Sequence, residues 1–452
     1  MNDERSEEVF FLAFFVLLKI LRFADVYYFL TSATLSSMKT AFWLCFSTLI
    51  FGLLARISVG GSGILALDVL LPVFGFCFIF KKLFIDRELP KVSFLPSALV
   101  FGSVAILSYL LGAYDLDFKA QVLSAAYLVR FFSAIIFAIA ALDLAQNDKQ
   151  FRETFFRNIF FIAGIIVFFG FVQFVFLPDI STFSTEGGWD PHTGRLLGTW
   201  MDPNFVAGFL AFLTPLAIAK FYEEKKTRSK IILGVLILFF FAALFLTFSR
   251  SGLLSAMIGF FVFFLLRDPK ILILGLIAVS IGIISNERAQ TRFIEFAGTI
   301  KSVAFQDTDE IDPTAKLRME NWKKSFELFQ KYPFTGIGYN TYRYRAAEEG
   351  FVDESYFSSG GSDSSHLTVL ITTGVFGFLA FLWFCGQIFF TNLKRFIKNR
   401  NVVALGFAAG FTALFFHAVF VNSFFFPLIF VPVMAVAGFL EYENQHSEAL
   451  KK

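Results

Sequence analysis

The sequence turns polar over one long interval, residues 286–366, which contains the run Arg318-Met-Glu-Asn-Trp322 and closes with Gly360-Gly-Ser-Asp-Ser-Ser-His366. On both sides of this interval the chain consists of apolar runs separated by short charged segments. Long connections without a role are rare in compact proteins, so the interval is predicted to be the working part of the molecule.

The composition indicates a polytopic membrane protein. Of 452 residues, 56% are hydrophobic, only 17% are charged and 69 are phenylalanine, whereas a soluble domain carries nearer a quarter of charged residues. A net charge of +3 is too small to indicate a nucleic-acid partner, and we expect membrane lipids instead. The 3 cysteines lie in separate apolar runs, which predicts small buried side chains and no disulfide framework or metal site.

The apolar runs are long enough to cross a bilayer. A hydrocarbon core of about 30 Å needs about 20 apolar residues in a helix, so we predict an all-α polytopic integral membrane protein with about 12–13 transmembrane helices. The predicted spans are residues 9–30, 41–57, 62–80, 95–113, 121–144, 156–177, 204–221, 230–248, 251–267, 270–286, 367–391, 402–421 and 424–440. Lys19, Arg22 and Asp25 interrupt the first, so it either crosses the membrane or lies in the interface.

Basic residues cluster in alternate loops, and the positive-inside rule assigns those loops to the cytoplasm. The chain is then a single membrane domain (1–452). Its predicted parts are an N-terminal helical bundle (9–286), a large extracytoplasmic loop (287–366), C-terminal transmembrane helices (367–440) and a cytoplasmic tail (441–452). Within the loop, apolar positions at helical spacing predict a helix over residues 314–331, which Pro333 ends.

Three arginines lie on the outward side, where cations are scarce. Arg195 precedes a span, Arg250 occupies the tight turn Thr247-Phe-Ser-Arg-Ser-Gly252, and Arg318 lies on the predicted loop helix. A guanidinium fork suits phosphate oxygens, so three of them around one outward cavity predict a pyrophosphate site. Each one taken alone could instead reach lipid head groups or pair with a carboxylate.

The end of the loop carries the candidate bases. Ser362 or Asp363 is placed to cap the following helix, and Asp363 and His366, three residues apart, are expected to share a face at the outer mouth of the membrane. Either side chain could accept a proton from an attacking hydroxyl, although capping alone also explains Asp363.

Other polar residues have simpler interpretations. Arg130 lies in the middle of a span and needs either a carboxylate or a ligand's phosphates beside it. We interpret Asp307-Thr-Asp309 as part of a solvated acidic loop rather than a metal motif. His417 is interpreted as a packing residue.

In its order of short motifs the chain resembles the O-antigen ligase / O-antigen polymerase superfamily of bacterial envelope glycosyltransferases. The matching features, over roughly residues 190–440, are Gly194-Arg195…Gly198 leading into Asp202-Pro-Asn204, Ser249-Arg250-Ser-Gly252, Arg318…Trp322, Pro333…Gly336-x-Gly338 and Thr373-Gly374-Val-Phe-Gly377.

The resemblance implies a GT-C-like, multi-pass protein of the bacterial inner (cytoplasmic) membrane, acting as an inverting glycosyltransferase without metal or cofactor. The implied donor is a glycan linked to undecaprenyl pyrophosphate, and the implied acceptor is a hydroxyl of a glycan, a lipid or a protein. By motif, Arg250 and Arg318 correspond to pyrophosphate-binding arginines. Further residues fall in supporting places: Arg195, Asp202, Asn204, Ser249, Trp322 and Arg130.

The sequence departs from the family pattern at the base. Members usually carry His-Asn eleven residues before the first glycine of the G-x-x-G segment; here Asp363 and Ser364 occupy those places before Gly374. Either Asp363 is the base, which the register favours, or His366 replaces it from the next turn, or the chain is an inactive member. A transporter or flippase is the alternative from another class, and it would show paired broken helices in two repeated halves.

Overall fold

The computed structural model describes residues 34–59, 62–181, 192–285, 290, 313–351 and 361–449. The predicted span 9–30 and the Asp307-Thr-Asp309 segment lie outside these residues. The described chain is α-helical, as predicted, apart from short 3₁₀ and π turns and one hairpin in which β1 (Ile57–Val59) pairs antiparallel with β2 (Ser62–Ile64).

The described α-helices follow the predicted order closely. They are α1 (Leu35–Ser47), α2 (Ala66–Phe80), α3 (Leu95–Gly112), α4 (Phe118–Asn147), α5 (Lys149–Phe176), α6 (Pro203–Glu223), α7 (Thr227–Leu246), α8 (Arg250–Arg267), α9 (Pro269–Ile284), α10 (Pro313–Lys331), α11 (Tyr342–Glu348), α12 (Ser365–Asn399), α13 (Val402–Phe420) and α14 (Pro427–Ala449). The loop helix predicted over residues 314–331 is α10.

Within the described residues, 8 helices are long and apolar enough to cross a membrane: α3 to α8, α12 and α13. This is fewer than the roughly 12–13 expected from apolar run length. The difference arises partly because α2 and α9 have only 15 and 16 residues, so their apolar runs are longer than the helices they form.

The stretch 41–57 was predicted as one span, and that prediction is wrong. Helix α1 ends at Ser47, and two 3₁₀ turns (Thr48–Ile50 and Gly52–Ala55) lead into the hairpin. Gly52 has a φ of 52°, a left-handed conformation that interrupts an α-helix. The stretch is only partly buried: the Trp200 indole donates to the Leu49 carbonyl at 2.9 Å, while Phe51 and Leu54 are exposed.

The core of the bundle forms where α6, α13 and α8 pack closely. A Cβ at Gly410 on α13 would collide with the Phe212 carbonyl of α6, so the two helices approach each other at backbone distance, as small residues permit in membranes. Phenylalanine rings fill the neighbouring layers, for example Phe155 of α5 stacked on Phe439 of α14 at 4.0 Å between centroids. The first turns of α6 are thereby fixed against the end of α13.

Hydrogen bonds between distant segments define the two ends of the bundle. At one end, Ser124 near the start of α4 donates to the Asn340 carbonyl of the loop at 3.1 Å, and Arg345 of α11 donates to the Gly112 carbonyl at the end of α3 at 2.6 Å. At the other end, Gln445 of α14 donates to the Lys91 carbonyl before α3 at 2.9 Å. The loop helices and the C-terminal end of α14 therefore lie at opposite ends, here called the loop end and the tail end.

Candidate active site

Arg195 is held at the loop end by groups from the turn between α7 and α8 and from the start of α6. Its Nε donates to the Thr247 carbonyl at 2.8 Å, and its Nη2 lies 3.4 Å from Asn204 Oδ1. The same Asn204 oxygen accepts from Ser249 Oγ at 2.8 Å. Arg250 follows as the exposed first residue of α8. Asn204 thus joins Arg195 to the Ser249-Arg250 turn, and the structure brings these four predicted residues together.

Asp202 lies beside this cluster, at the start of α6. It caps α6, accepting from the Asn204 amide at 2.7 Å, and its side chain is buried. Burial raises the pKa of Asp202, against the opposing effects of His192, the capping amides and Arg195. His192 also contacts Arg195, with Nδ1 3.2 Å from Nη1.

One face of α10 carries the second group of predicted residues. Arg318, Asn321 and Trp322 are three and four residues apart, so they lie on the same side of the helix. Asn321 Nδ2 donates to Asp363 Oδ2 at 3.0 Å. The Trp322 ring lies 6.4 Å from Phe420 of α13, and its buried Nε1 has no hydrogen-bond partner among the described residues. A ligand oxygen would satisfy that donor.

Asp363 is oriented by a chain of hydrogen bonds. Tyr342 of α11 donates to Asn321 Oδ1 at 3.0 Å, and its hydroxyl lies 2.7 Å from Ser325 Oγ. Asp363 itself is partly exposed and has a φ of 58°. Such a conformation is uncommon outside glycine and clusters at functional sites. The carboxylate is therefore both accessible and fixed in direction.

His366 lies in a different environment from Asp363. Its ring packs edge-on against Phe415 at 4.4 Å and near Phe381 at 5.8 Å. Both ring nitrogens are buried and make no well-formed hydrogen bond to the described residues. The expectation that the two side chains share a helix face is wrong, because Asp363 precedes α12 in a left-handed conformation. The predicted cap is also corrected: Ser364 caps α12, accepting from the Leu367 amide at 3.3 Å.

His417, which the sequence analysis interpreted as a packing residue, lies between α13 and α6. It is fully buried near the end of α13, and Arg318 of α10 lies close enough to interact with it electrostatically. Its Nδ1 lies 2.8 Å from Ser423 Oγ, and its ring packs where a Cβ at Gly208 would be. Gly208 is one turn after Asn204 on α6. His417 therefore packs α13 against the first turns of α6.

The turn Pro333–Gly338 and the segment around Gly374 form one structural unit. Gly374 has a φ of 67° and a ψ of −172°, which breaks α12. The Ile371 and Thr372 carbonyls freed by the break accept from the Ile337 and Gly338 amides at 3.0 and 3.2 Å. Helices α10 and α11 of the loop are thereby anchored to the long helix α12 through the two glycine-containing segments.

Arg130 lies apart from these groups. Its guanidinium forms a two-bond ion pair with Asp68 of α2, at 2.6 and 2.5 Å, and stacks over Tyr127 at 4.4 Å. Both charged residues line a cavity of about 20 Å³, with space for one water. Of the two interpretations of Arg130, the structure shows the pairing with a carboxylate.

Three residues around the site carry weak or no sequence signals. Asn321 lies within the quoted run Arg318–Trp322, where its spacing from Arg318 could have indicated it. Tyr342 and His417 reach the site only through packing of α11 and α13, so spacing along the chain does not reveal them.

A protein-family model matches part of the chain. A search of curated proteins found none that matches the chain. Residues 234–382 match the model of the O-Antigen ligase family. The matched segment contains Arg250, Arg318, Trp322, Asp363 and His366, while Arg195, Asp202 and Asn204 precede it. The match covers about a third of the chain, and it supports the resemblance of this segment to the O-antigen ligase/polymerase superfamily of membrane glycosyltransferases.

Proposed function

We propose that the protein transfers or polymerises glycan from an undecaprenyl-pyrophosphate-linked donor onto an acceptor hydroxyl. The observation that carries this proposal is the shared face of α10, on which Arg318 and the Asn321–Asp363 hydrogen bond lie together. The Arg195–Ser249–Arg250 cluster supports it from the same end of the bundle. A cationic group and a directed carboxylate beside each other are what transfer from a pyrophosphate donor requires.

The arginines would stabilise the leaving group. As the bond between the anomeric carbon and the phosphate oxygen breaks, undecaprenyl pyrophosphate departs with the bonding electrons, and negative charge accumulates on it. Guanidinium groups fixed before the reaction stabilise that charge without reorganising. Arg250 and Arg318 take this role, and Arg195 assists from its position between Thr247 and Asn204.

Asp363 would act as the general base. The acceptor oxygen attacks the anomeric carbon from the face opposite the pyrophosphate, and Asp363 takes the hydroxyl proton, so the configuration inverts. Its partial exposure and its hydrogen bond from Asn321 support Asp363 over His366, whose nitrogens are buried among aromatic rings. The chemistry assigned to these residues uses no metal or cofactor.

The remaining predicted residues would position these groups. Asp202, Asn204 and Ser249 fix the Arg195 side of the site, and the Trp322 indole is available to donate to a sugar or phosphate oxygen. We assign Arg130 to the stability of the bundle. In this proposal the loop end faces away from the cytoplasm in a bacterial inner membrane, because the tail-end loops hold most of the basic residues.

A reconstituted assay with lipid-linked oligosaccharide tests the proposal. Arg250→Ala and Arg318→Ala should each lower the transfer rate by about 10²–10³, the effect of removing one preorganised donor from a developing anion. Lys323→Ala is the matched control, because Lys323 is an exposed cation on α10 next to the active face, and it should transfer at the wild-type rate. Wild-type rates in both arginine variants would contradict the pyrophosphate site.

A further inference from the structure

The tail end of the bundle contains a charged pocket that the transfer reaction does not use. It has a volume of about 260 Å³ and is lined by Glu223, Arg395, Asn399, Arg400, Asn401, Val402 and Glu443. These residues come from the ends of α6 and α12, the start of α13 and the last turns of α14. The volume suits a small polar group of several atoms but is below the range of about 300–1,000 Å³ common for larger ligands.

Two arginines supply the positive side of this tail-end pocket. Arg395 is 4% exposed and is fixed by Glu441 at 2.9 Å and Asn392 at 3.0 Å. Arg400 is exposed and ends α12 with a φ of 54°, its guanidinium 5.9 Å from the Phe396 ring centroid. Glycine is the usual residue in that left-handed position, so an arginine there places a cation at the pocket mouth at a conformational cost.

Two carboxylates supply the negative side. Glu443 accepts from Asn401 Nδ2 at 2.7 Å, and Glu223 lies near enough to interact with it unfavourably. Burial raises the pKa of Glu443, and the charge of Glu223 raises it further, although Asn401, Lys220 and Arg395 oppose this. Glu223 is already paired with Lys220 of its own helix. An ammonium in the pocket would therefore act mainly on Glu443, whose repulsion from Glu223 it would relieve.

An apolar stripe leads away from the pocket along α12. Trp383, Phe390 and Ile397 are spaced by seven residues, so they lie on one side of the helix, and each is largely exposed. Ile397 precedes Arg400 by three residues, which puts the pocket at the end of the stripe. A ligand bound here can have a charged head in the pocket and an acyl chain on the stripe.

We propose that the tail-end pocket binds the head group of a phospholipid that carries both a phosphate and a primary ammonium, of the phosphatidylethanolamine class. Arg400 contacts the phosphate, and Glu443 with Glu223 accepts the ammonium N–H groups. A quaternary ammonium has no N–H to donate, so the carboxylates distinguish ethanolamine from choline head groups. The site is independent of the transfer reaction.

Native mass spectrometry of the purified, delipidated full chain tests this with phosphatidylethanolamine, phosphatidylcholine and phosphatidylglycerol of equal acyl chains. We expect the ethanolamine lipid to bind about tenfold or more tightly than the choline lipid, as charged hydrogen bonds predict. Glu443→Gln should remove this preference. Arg400→Gln should weaken both lipids by about tenfold, because both carry the phosphate. Lys398→Gln is the matched control on α12 and should bind as wild type does.

Several outcomes would overturn the proposal. These are equal binding of ethanolamine and choline lipids by the wild type, stronger binding of the glycerol lipid, or unchanged selectivity in Glu443→Gln. If Glu443→Gln does not fold, Glu223→Gln provides the same comparison from the more exposed carboxylate. Soluble phosphoethanolamine should not displace the lipid at equal concentration, because it lacks the acyl chain; binding as tight as that of the lipid would overturn the assignment to a membrane ligand.

Discussion

At the loop end, Arg195 donates to the Thr247 carbonyl and lies against the side-chain oxygen of Asn204, both neutral acceptors. At the tail end, Arg395 is paired with the Glu441 carboxylate at 2.9 Å, and both side chains are 4% exposed. These contacts fix the direction of the Arg195 guanidinium beside the Ser249-Arg250 turn. A guanidinium paired with a carboxylate in a buried place mainly fixes the helices that carry the two residues.

Other contacts show the same difference between the loop end and the tail end. Lys82 pairs with Asp143 at 2.6 Å and joins the ends of α2 and α4 at the tail end. The loop end presents Asp363 to solvent on a hydrogen bond from an amide. We infer that substitutions at the loop end change the reaction and leave the fold intact, while substitutions of the tail-end ion pair change the fold first.

Among all the substitutions considered, Asp363→Asn at the loop end is expected to have the largest effect on the transfer rate. The amide keeps the size and accepts from Asn321 but cannot take a proton, so we expect transfer to fall by about 10²–10⁴. Thermal unfolding should stay close to wild type. His366→Ala is the comparison variant; a loss of transfer there, with Asp363→Asn active, would assign the base to His366.

Arg395→Ala tests the role of the buried Arg395–Glu441 ion pair at the tail end. It leaves the Glu441 carboxylate buried without its partner, and breaking a buried pair from one side typically costs about 3–5 kcal/mol. We expect a lower unfolding temperature in detergent, with normal transfer by the protein that remains folded. Replacement of both partners, Arg395→Met with Glu441→Leu, should recover most of the stability. A stable Arg395→Ala protein with impaired transfer would contradict the contrast.

Gly374→Ala tests how the loop helices are anchored to the membrane helices. A Cβ there would meet the Phe334 carbonyl in a backbone with a φ of 67°, and such strain costs about 1–3 kcal/mol. We expect faster proteolysis of the loop and partial loss of transfer. Gly386→Ala, on the same helix with only ordinary contacts to Phe390, is the control and should resemble wild type.

The smallest expected effect concerns pH at the exposed contact between Asp115 and Arg345. The hydrogen bond from Arg345 holds the pKa of Asp115 below its usual 3.8, against a small opposing effect of desolvation. A depressed pKa means that the contact contributes to loop docking at neutral pH and is lost as the pH falls below that value. Tryptophan fluorescence of the loop should therefore be constant from pH 7 to 5 and change only in stronger acid. Asp115→Asn should abolish that change, and persistence of the change would assign it elsewhere.

Much of the architecture could be predicted from the sequence, because crossing a bilayer requires long apolar helices whatever their neighbours are. The spans from α3 to α8 and α12 to α13, and the loop helix α10, were found in this way. The stretch 41–57 was predicted wrongly because hydropathy measures burial and does not report the left-handed turn at Gly52.

The candidate site likewise has a part that the sequence predicted and a part that only the tertiary structure shows. Residue type and order predicted Arg195, Arg250 and Arg318 as candidates on a cation-poor side, and the family register favoured Asp363. Only the tertiary structure placed Arg130 with Asp68, buried His366 among phenylalanines and brought His417 beside Arg318. Those relations depend on which helix faces pack together, and the close approach of α6 and α13 decides that through contacts between residues some 200 apart in sequence.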